Sequence, residues 1–152
     1  MTTVRKATPE DIPALLAMGR AMHAESPRFA PLDYSDEKVL RLVERLLRVP
    51  KAGGILVAEA EGMIRGMLVF YVGKHFFGDD DFAADICVYV TPAHRGGSAF
   101  FRLLDAFEAW ATSLGVKEMI LGTSTGVHQA RTVALLQHAG YEQFSTGLLK
   151  KV

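Results

Sequence analysis

The sequence has a single cysteine, Cys87, and no asparagine at all. One thiol excludes an internal disulfide framework and any multi-cysteine metal centre, and without asparagine there is no N-glycosylation acceptor. An excess of either charge is also missing. Lys and Arg number 17, as do Asp and Glu, so the overall balance draws the chain neither to nucleic acid nor to an anionic membrane. No apolar run approaches the ~20 residues that cross a bilayer, and the opening MTTVRKATPEDIPALL lacks the apolar core of a secretion signal. GxxxxGK[ST] and GxGxxG do not occur, which argues against a P-loop nucleotide hydrolase and a Rossmann dehydrogenase. The expectation is a cytoplasmic protein with no metal and no nucleic-acid or membrane partner.

What is present suits one domain over residues 1–152, with 49% hydrophobic residues to build its core. VRKA reads as a first strand. Thr8, Pro9, Glu10 and Asp11 then carry the hydroxyl, proline and acids of a helix start. A second helix opens at Ser35, with Val39, Leu42, Val43, Leu46 and Leu47 at helical spacing, and ends near Pro50. GILVAEAEGMIRGMLVFYV reads as an antiparallel hairpin turning at Glu61 and Gly62, and AADICVYV as the next strand. A helical stripe runs from Phe100 to Leu114, KEMILGTS follows as a strand, and a last helix spans about His128 to Ala139. The tail YEQFSTGLLKKV is expected to hold one or two final strands. This order implies an α/β (α+β mixed) fold, a mixed and mostly antiparallel sheet of six to seven strands flanked by about four helices.

The junction VTPAHRGGSAF, Val90 to Phe100, stands out. A strand turning at once into a helix leaves the first helical N–H groups unpaired, and with the macrodipole they favour an anion. Gly96 and Gly97 let ligand oxygens approach the backbone, Arg95 offers a charged donor, and Ser98 can cap the helix or bond a phosphate. A plain strand-to-helix turn also favours Gly and Ser, so the loop alone does not decide between the two.

The run VYVTPAHRGGSAFFRLLDAFEAWATSLGVKEMIL resembles the acetyl-CoA motif of the GNAT (N-acetyltransferase) superfamily, in which a strand ends in V-x-P-x-x-R-G and a helix follows. VRKATPEDIPALLAM is similar to that family's first strand and helix, and HQARTVALLQHAGYE to its last helix. The resemblance implies a GNAT-like fold and acetyl-CoA as co-substrate. It places the pyrophosphate on the amides of Arg95, Gly96, Gly97, Ser98, Ala99 and Phe100, and the pantetheine arm along Val88 and Val90. Gln129 takes the place of a frequent coenzyme-contacting Asn, and Arg131 is expected either to reach a phosphate or simply to sit on the surface. The family's [QR]-x-x-G-x-[GA] is broken at Ser98 and Phe100; the phenylalanine fits only if its ring turns to the core. Relatives often dimerise through terminal strands, which makes a homodimer an expectation.

Acetyl transfer to an amine requires a neutral amine, a stabilised oxyanion and a proton for the leaving thiolate. Where family members carry a Tyr in the last helix, this chain has Leu135 and Leu136. Tyr89 or Ser124 then stands as a replacement acid, and Tyr141 as a packing residue. Asp85, in an otherwise apolar strand, is the leading base candidate, since burial raises a lone carboxyl's pKa. His128, at the start of the last helix, is the second. Cys87 among apolar neighbours reads as inert, and Asp79, Asp80 and Asp81 as a solvated turn. The implied function is N-acetyl transfer from acetyl-CoA to a primary amine of a small molecule or peptide. The alternatives are a catalytically silent acyl-CoA-binding or regulatory module, and a nucleotide-binding regulator on the same anion site.

Overall fold

The computed structural model describes all 152 residues. Strand β1, Thr3–Lys6, leads through a 3-10 turn, Pro9–Asp11, into α1, Ile12–Glu25. The Asp11 carboxylate holds this entry. It accepts the Thr8 N–H at 2.8 Å and two Arg5 donors at 2.7 and 3.0 Å, and Arg5 keeps its pKa below the usual carboxylate range. Helix α2, Asp36–Arg48, is capped by Ser35 Oγ, which accepts from the Lys38 N–H at 3.2 Å. Next come β2 (Gly53–Ala60), β3 (Met63–Lys74), β4 (Asp81–Val90), α3 (Ala99–Ser113), β5 (Glu118–Ile120) and α4 (Gln129–His138).

The sheet runs in the order β1-β2-β3-β4-β5, antiparallel except for the parallel pair β4-β5. Glu61 and Gly62 both take positive φ, 54° and 71°, as a tight hairpin turn with right-handed twist demands. One face of the sheet packs on α3 through Leu56, Leu68, Phe70, Leu103 and Phe107. The other face carries α1 and α2 on Ile55, Val57, Met67, Val69 and Tyr89. Gly54 is needed for packing: a Cβ there would lie 2.1 Å from the Trp110 ring.

The expected six to seven strands are corrected to five. KEMILGTS shortens to Glu118–Ile120 because the chain leaves β4 at Leu121. The strand expected in YEQFSTGLLKKV does not form: residues 142–152 are exposed and make no backbone–backbone hydrogen bond. Phe144, Leu148 and Leu149 face solvent there.

Candidate active site

The site begins with a break in strand pairing. β5 pairs with β4 only along Phe82, Ala83 and Ala84. Beyond Ala84 the two strands diverge, and β4 also carries a bulge: Val69 opposes Cys87 and Phe70 opposes Asp85, leaving Ile86 unpaired. The bulge flips the side-chain alternation. Ala83 faces α3, as does Asp85 two residues on, whereas Cys87 packs with the α1/α2 cluster. Thr91 donates its N–H to Arg65 at 2.8 Å, so by antiparallel alternation Val88 and Val90 turn their backbone groups to the edge that β5 has left.

Asp85 sits at the apex of this opening. Its Oδ1 accepts the Gly122 N–H at 3.0 Å across the gap. Burial pushes its pKa up to about 6, against the opposing pull of that hydrogen bond. Cys87 is pushed up to about 12 by burial, with the Asp85 charge adding to the effect. Tyr89 is buried on the α1/α2 side, and burial raises its pKa and keeps the phenol protonated.

At the open end of the gap lies the glycine loop. Pro92–His94 form a 3-10 turn, and the first bond of α3 runs from the Arg102 N–H to the Ser98 carbonyl at 3.0 Å. The amides of Gly96, Gly97 and Ser98 have no backbone acceptor, and those of Ala99 and Phe100 precede the first helical bond. Ser98 is the N-cap, but its hydroxyl makes no capping bond. Gly96 has φ 87°, a conformation glycine takes without strain, and Gly97 would bring a Cβ no nearer than 3.7 Å to the His94 carbonyl. Phe100 packs against the α3-side core, so its ring leaves the loop open. Arg131, on the first turn of α4, brings its Nη2 within 3.6 Å of the position a Gly96 Cβ would take.

The Arg95 side chain departs from the sequence reading. Its guanidinium turns inward, gripping Glu25 of α1 at 2.5 and 2.7 Å and the Val90 carbonyl at 2.8 Å, and it lies 5.4 Å from the Tyr89 ring centre. It ties α1 to the loop and leaves backbone amides and Arg131 to meet an anion. His128 is the N-cap of α4 with φ 47°, exposed, and close enough to Glu25 to help hold that carboxyl's pKa down. Gln129 follows it on the exposed first turn. Leu136 is buried, so no hydroxyl stands at that point of α4. Tyr141 packs on α3, its hydroxyl donating to Glu108 at 3.0 Å. Ser124 lines the gap, its carbonyl accepting from Arg28 at 3.2 Å.

Two residues had no sequence signal. Ser26, fully buried, donates to the Thr125 carbonyl at 2.6 Å and accepts the Phe29 N–H at 3.1 Å, stapling the end of α1 to the segment that forms the far lip of the gap. Glu25 reads in sequence as an ordinary surface acid. Asp85, Tyr89, Val88, Val90, Arg95, Gly96, Gly97, Phe100, His128 and Arg131 all border one cavity of ≈ 510 Å³; Ser98, Ala99 and Gln129 adjoin it in sequence only. Asp79–Asp81 stay outside it, with Asp81 paired to Lys74 at 3.0 Å, and no group of three His, Cys, Asp or Glu side chains is arranged to hold a metal. No helix is long and apolar enough to cross a membrane.

A mixed sheet opened between two parallel strands, with free amides at one end of the gap and a desolvated carboxyl at the other, defines an α/β protein that can hold an extended ligand with an anionic head. The chain belongs to the GNAT acetyltransferase family, whose model matches residues 19–141. No curated protein sequence matches it. Among solved structures it is similar to the aminoglycoside N-acetyltransferase AAC(6')-Iy in complex with the bisubstrate analogue CoA-S-monomethyl-acetylneamine. That likeness has TM-score 0.80 and 16% identity, and covers 100% of this chain and 98% of the other. A ribosomal-protein-alanine N-acetyltransferase from Brucella melitensis biovar Abortus 2308 gives TM-score 0.74 and 17% identity over 99% of both chains. A possible acetyltransferase from Clostridium difficile 630 gives TM-score 0.76 and 13% identity over 100% and 97%. At these identities the structures support the fold alone.

Proposed function

We propose that this chain transfers an acetyl group from acetyl-CoA to a primary amine by direct attack, without an acyl-enzyme. One observation carries this reading: the open edge of β4 joins the free amides of the glycine loop to Asp85 within a single cavity. The amides from Gly96 to Phe100 take the pyrophosphate, with Arg131 adding charge. Val88 offers a backbone donor and acceptor and Val90 its N–H, the Val90 carbonyl being held by Arg95, for an extended pantetheine amide chain, and the thioester ends near the apex. Bound there, acetyl-CoA supplies the activated acyl group.

Asp85 takes a proton from the incoming ammonium, directly or through water, so that the neutral amine can attack the thioester carbonyl. The new C–N bond forms, the C–S bond breaks, and the sulfur leaves as thiolate, to be protonated by solvent or by Tyr89. The phenol has the protonation state of a donor. Cys87 takes no part, since a thiol pushed up to about 12 is not a nucleophile at neutral pH.

Acetyl-CoA is expected to raise the melting temperature well above any effect of ATP, and free thiol is expected to appear when an amine is added. A silent acyl-CoA-binding module is favoured by the hydroxyl-free position at Leu136. It predicts the thermal shift without thiol release. No shift with acetyl-CoA overturns both.

A further inference from the structure

Between the apex and the glycine loop, little holds the two lips of the gap at a fixed distance. One hydrogen bond spans the gap directly, from the Gly122 N–H to the Asp85 carboxylate at the apex. Beyond it no bond runs from β4 to the far lip, residues 121–128. The end of α1 supplies the missing link. Glu25 grips Arg95 at 2.5 and 2.7 Å, and the same guanidinium donates to the Val90 carbonyl at 2.8 Å, which fixes Glu25 to the β4 lip. The residues that follow are fixed to the other lip. Ser26 donates its hydroxyl to the Thr125 carbonyl at 2.6 Å, and Arg28 donates to the Ser124 carbonyl at 3.2 Å. Between them, the Pro27 ring lies 3.5 Å from where a Gly126 Cβ would stand. Four consecutive residues therefore cross from one lip to the other.

The crossing is rigid. Ser26 is fully buried, and its hydroxyl also accepts the Phe29 N–H at 3.1 Å, so losing either partner would leave a buried polar group unpaired. Its backbone is held as well: the Ser26 N–H donates to the Met22 carbonyl at 3.1 Å, and the Ala30 N–H donates to the Ser26 carbonyl at 2.8 Å. An extended amide chain that pairs with β4 takes up one strand spacing, about 4.8 Å. A far lip closer than that shuts the chain out, and a lip that swings away leaves it with a single wall. Width is then part of affinity, because a gap held open in advance spares the ligand the cost of ordering it.

We propose that residues 25–28 form a strap that sets the width of the gap for the pantetheine arm, with Ser26 and Arg28 as positioning residues and Glu25 as its anchor on the β4 lip. The strap acts through the Ser124 and Thr125 carbonyls and through Arg95, without touching the coenzyme. This rests on the coenzyme-binding part of the acetyl-transfer reading. The loop amides take the pyrophosphate with the strap intact or broken, whereas the arm needs both lips.

The test is calorimetric titration of two compounds into wild type, Ser26→Ala and Arg28→Met: coenzyme A, and the ribose-phosphorylated ADP that remains when the pantetheine arm is removed. Each variant deletes one donor to the far lip. Arg28 is exposed, so Arg28→Met carries the test even where Ser26→Ala unfolds. We expect Kd for coenzyme A to rise about tenfold in Ser26→Ala and about threefold in Arg28→Met, while Kd for the fragment changes by less than about twofold. Arg28→Lys, which keeps a donor, should recover part of the lost affinity. Unchanged coenzyme A affinity in Arg28→Met and in folded Ser26→Ala overturns the strap. An effect confined to one variant overturns the part assigned to the other residue. Equal weakening of coenzyme A and the fragment also overturns the proposal, since the segment would then only support the loop. Wild type that binds coenzyme A but not the fragment refutes the division between loop and arm on which the strap depends. No binding of coenzyme A to wild type overturns the acetyl-transfer reading and this proposal with it.

Discussion

Replacing Asp85 by Asn isolates the charge at the apex from the shape around it. Asn keeps an Oδ1 acceptor for the Gly122 N–H, so the contact across the gap survives. What disappears is a carboxyl whose folded pKa is raised from 3.8 to about 6 by desolvation. Well below the unfolded value of 3.8, at about pH 3, this group is protonated in both folded and unfolded states, and the variant and wild type should be equally stable. Between pH 3.8 and about 6 the unfolded chain ionises this carboxyl while the folded one holds its proton, so wild type progressively loses stability that the Asn variant keeps, and above 6 the difference is constant. Two pKa units correspond to ~3 kcal/mol, and the partial solvent access of the site reduces this to ~1–2 kcal/mol. For a chain of this size that is a rise in Tm of roughly 3–6 °C at pH 8. Thermal scans of both proteins from pH 4 to 8.5 measure it. A difference that does not grow with pH, or an Asn variant less stable at pH 8, refutes the claim that Asp85 is a desolvated acid. Kinetics supply the second half: the acid limb of kcat/KM near pH 6 should be absent in Asp85→Asn, and the rate at pH 8 should fall by ~10²–10⁴.

Other perturbations have equally definite outcomes. Glu25→Gln removes a carboxylate whose pKa Arg95 holds down, so it should cost ~1–2 kcal/mol at pH 7. Because that pKa is lowered, the cost should fade as pH falls through the folded value, which urea melts at pH 7 and pH 3.5 can read. Gly54→Ala forces a Cβ to 2.1 Å from Trp110 and should destabilise the fold by ~2–3 kcal/mol in urea. Cys87, pushed up to about 12, should resist alkylation by iodoacetamide at pH 8 until the protein is unfolded.

The elements that positioned the site were legible because their signals are local. Ser35 caps α2, Glu61 and Gly62 turn the β2–β3 hairpin, and the apolar stripe from Phe100 to Leu114 is the buried face of α3. The glycine loop could be read as an anion site for the same reason, since free amides follow from a strand running into a helix. Side-chain partners set by distant chain were not legible. Glu25 lies 70 residues from Arg95 and redirects its guanidinium away from the loop, and nothing near either residue announces the pair. Ser26 reaches Thr125 across 99 residues. The bulge at Ile86, which separates Asp85 from Cys87 onto opposite faces, looks in sequence like uninterrupted alternation. In the tail a strand was expected over YEQFSTGLLKKV, but strand formation needs a paired neighbour, and β5 is only three residues long at that edge.

The central claim is that the free amides between Gly96 and Phe100 hold the acyl carrier, and calorimetric titration of acetyl-CoA into wild type and Gly97→Val tests it most directly. A Cβ at residue 97 meets only ordinary contact, with nothing nearer than the His94 carbonyl at 3.7 Å, so the variant should keep its fold and its melting temperature. Its extra methyl groups would occupy the space that phosphate oxygens need. Loss of one or two charge-assisted hydrogen bonds should weaken binding by roughly 10- to 100-fold against wild type. Equal dissociation constants for the two proteins, or no binding of acetyl-CoA to wild type, would contradict the account.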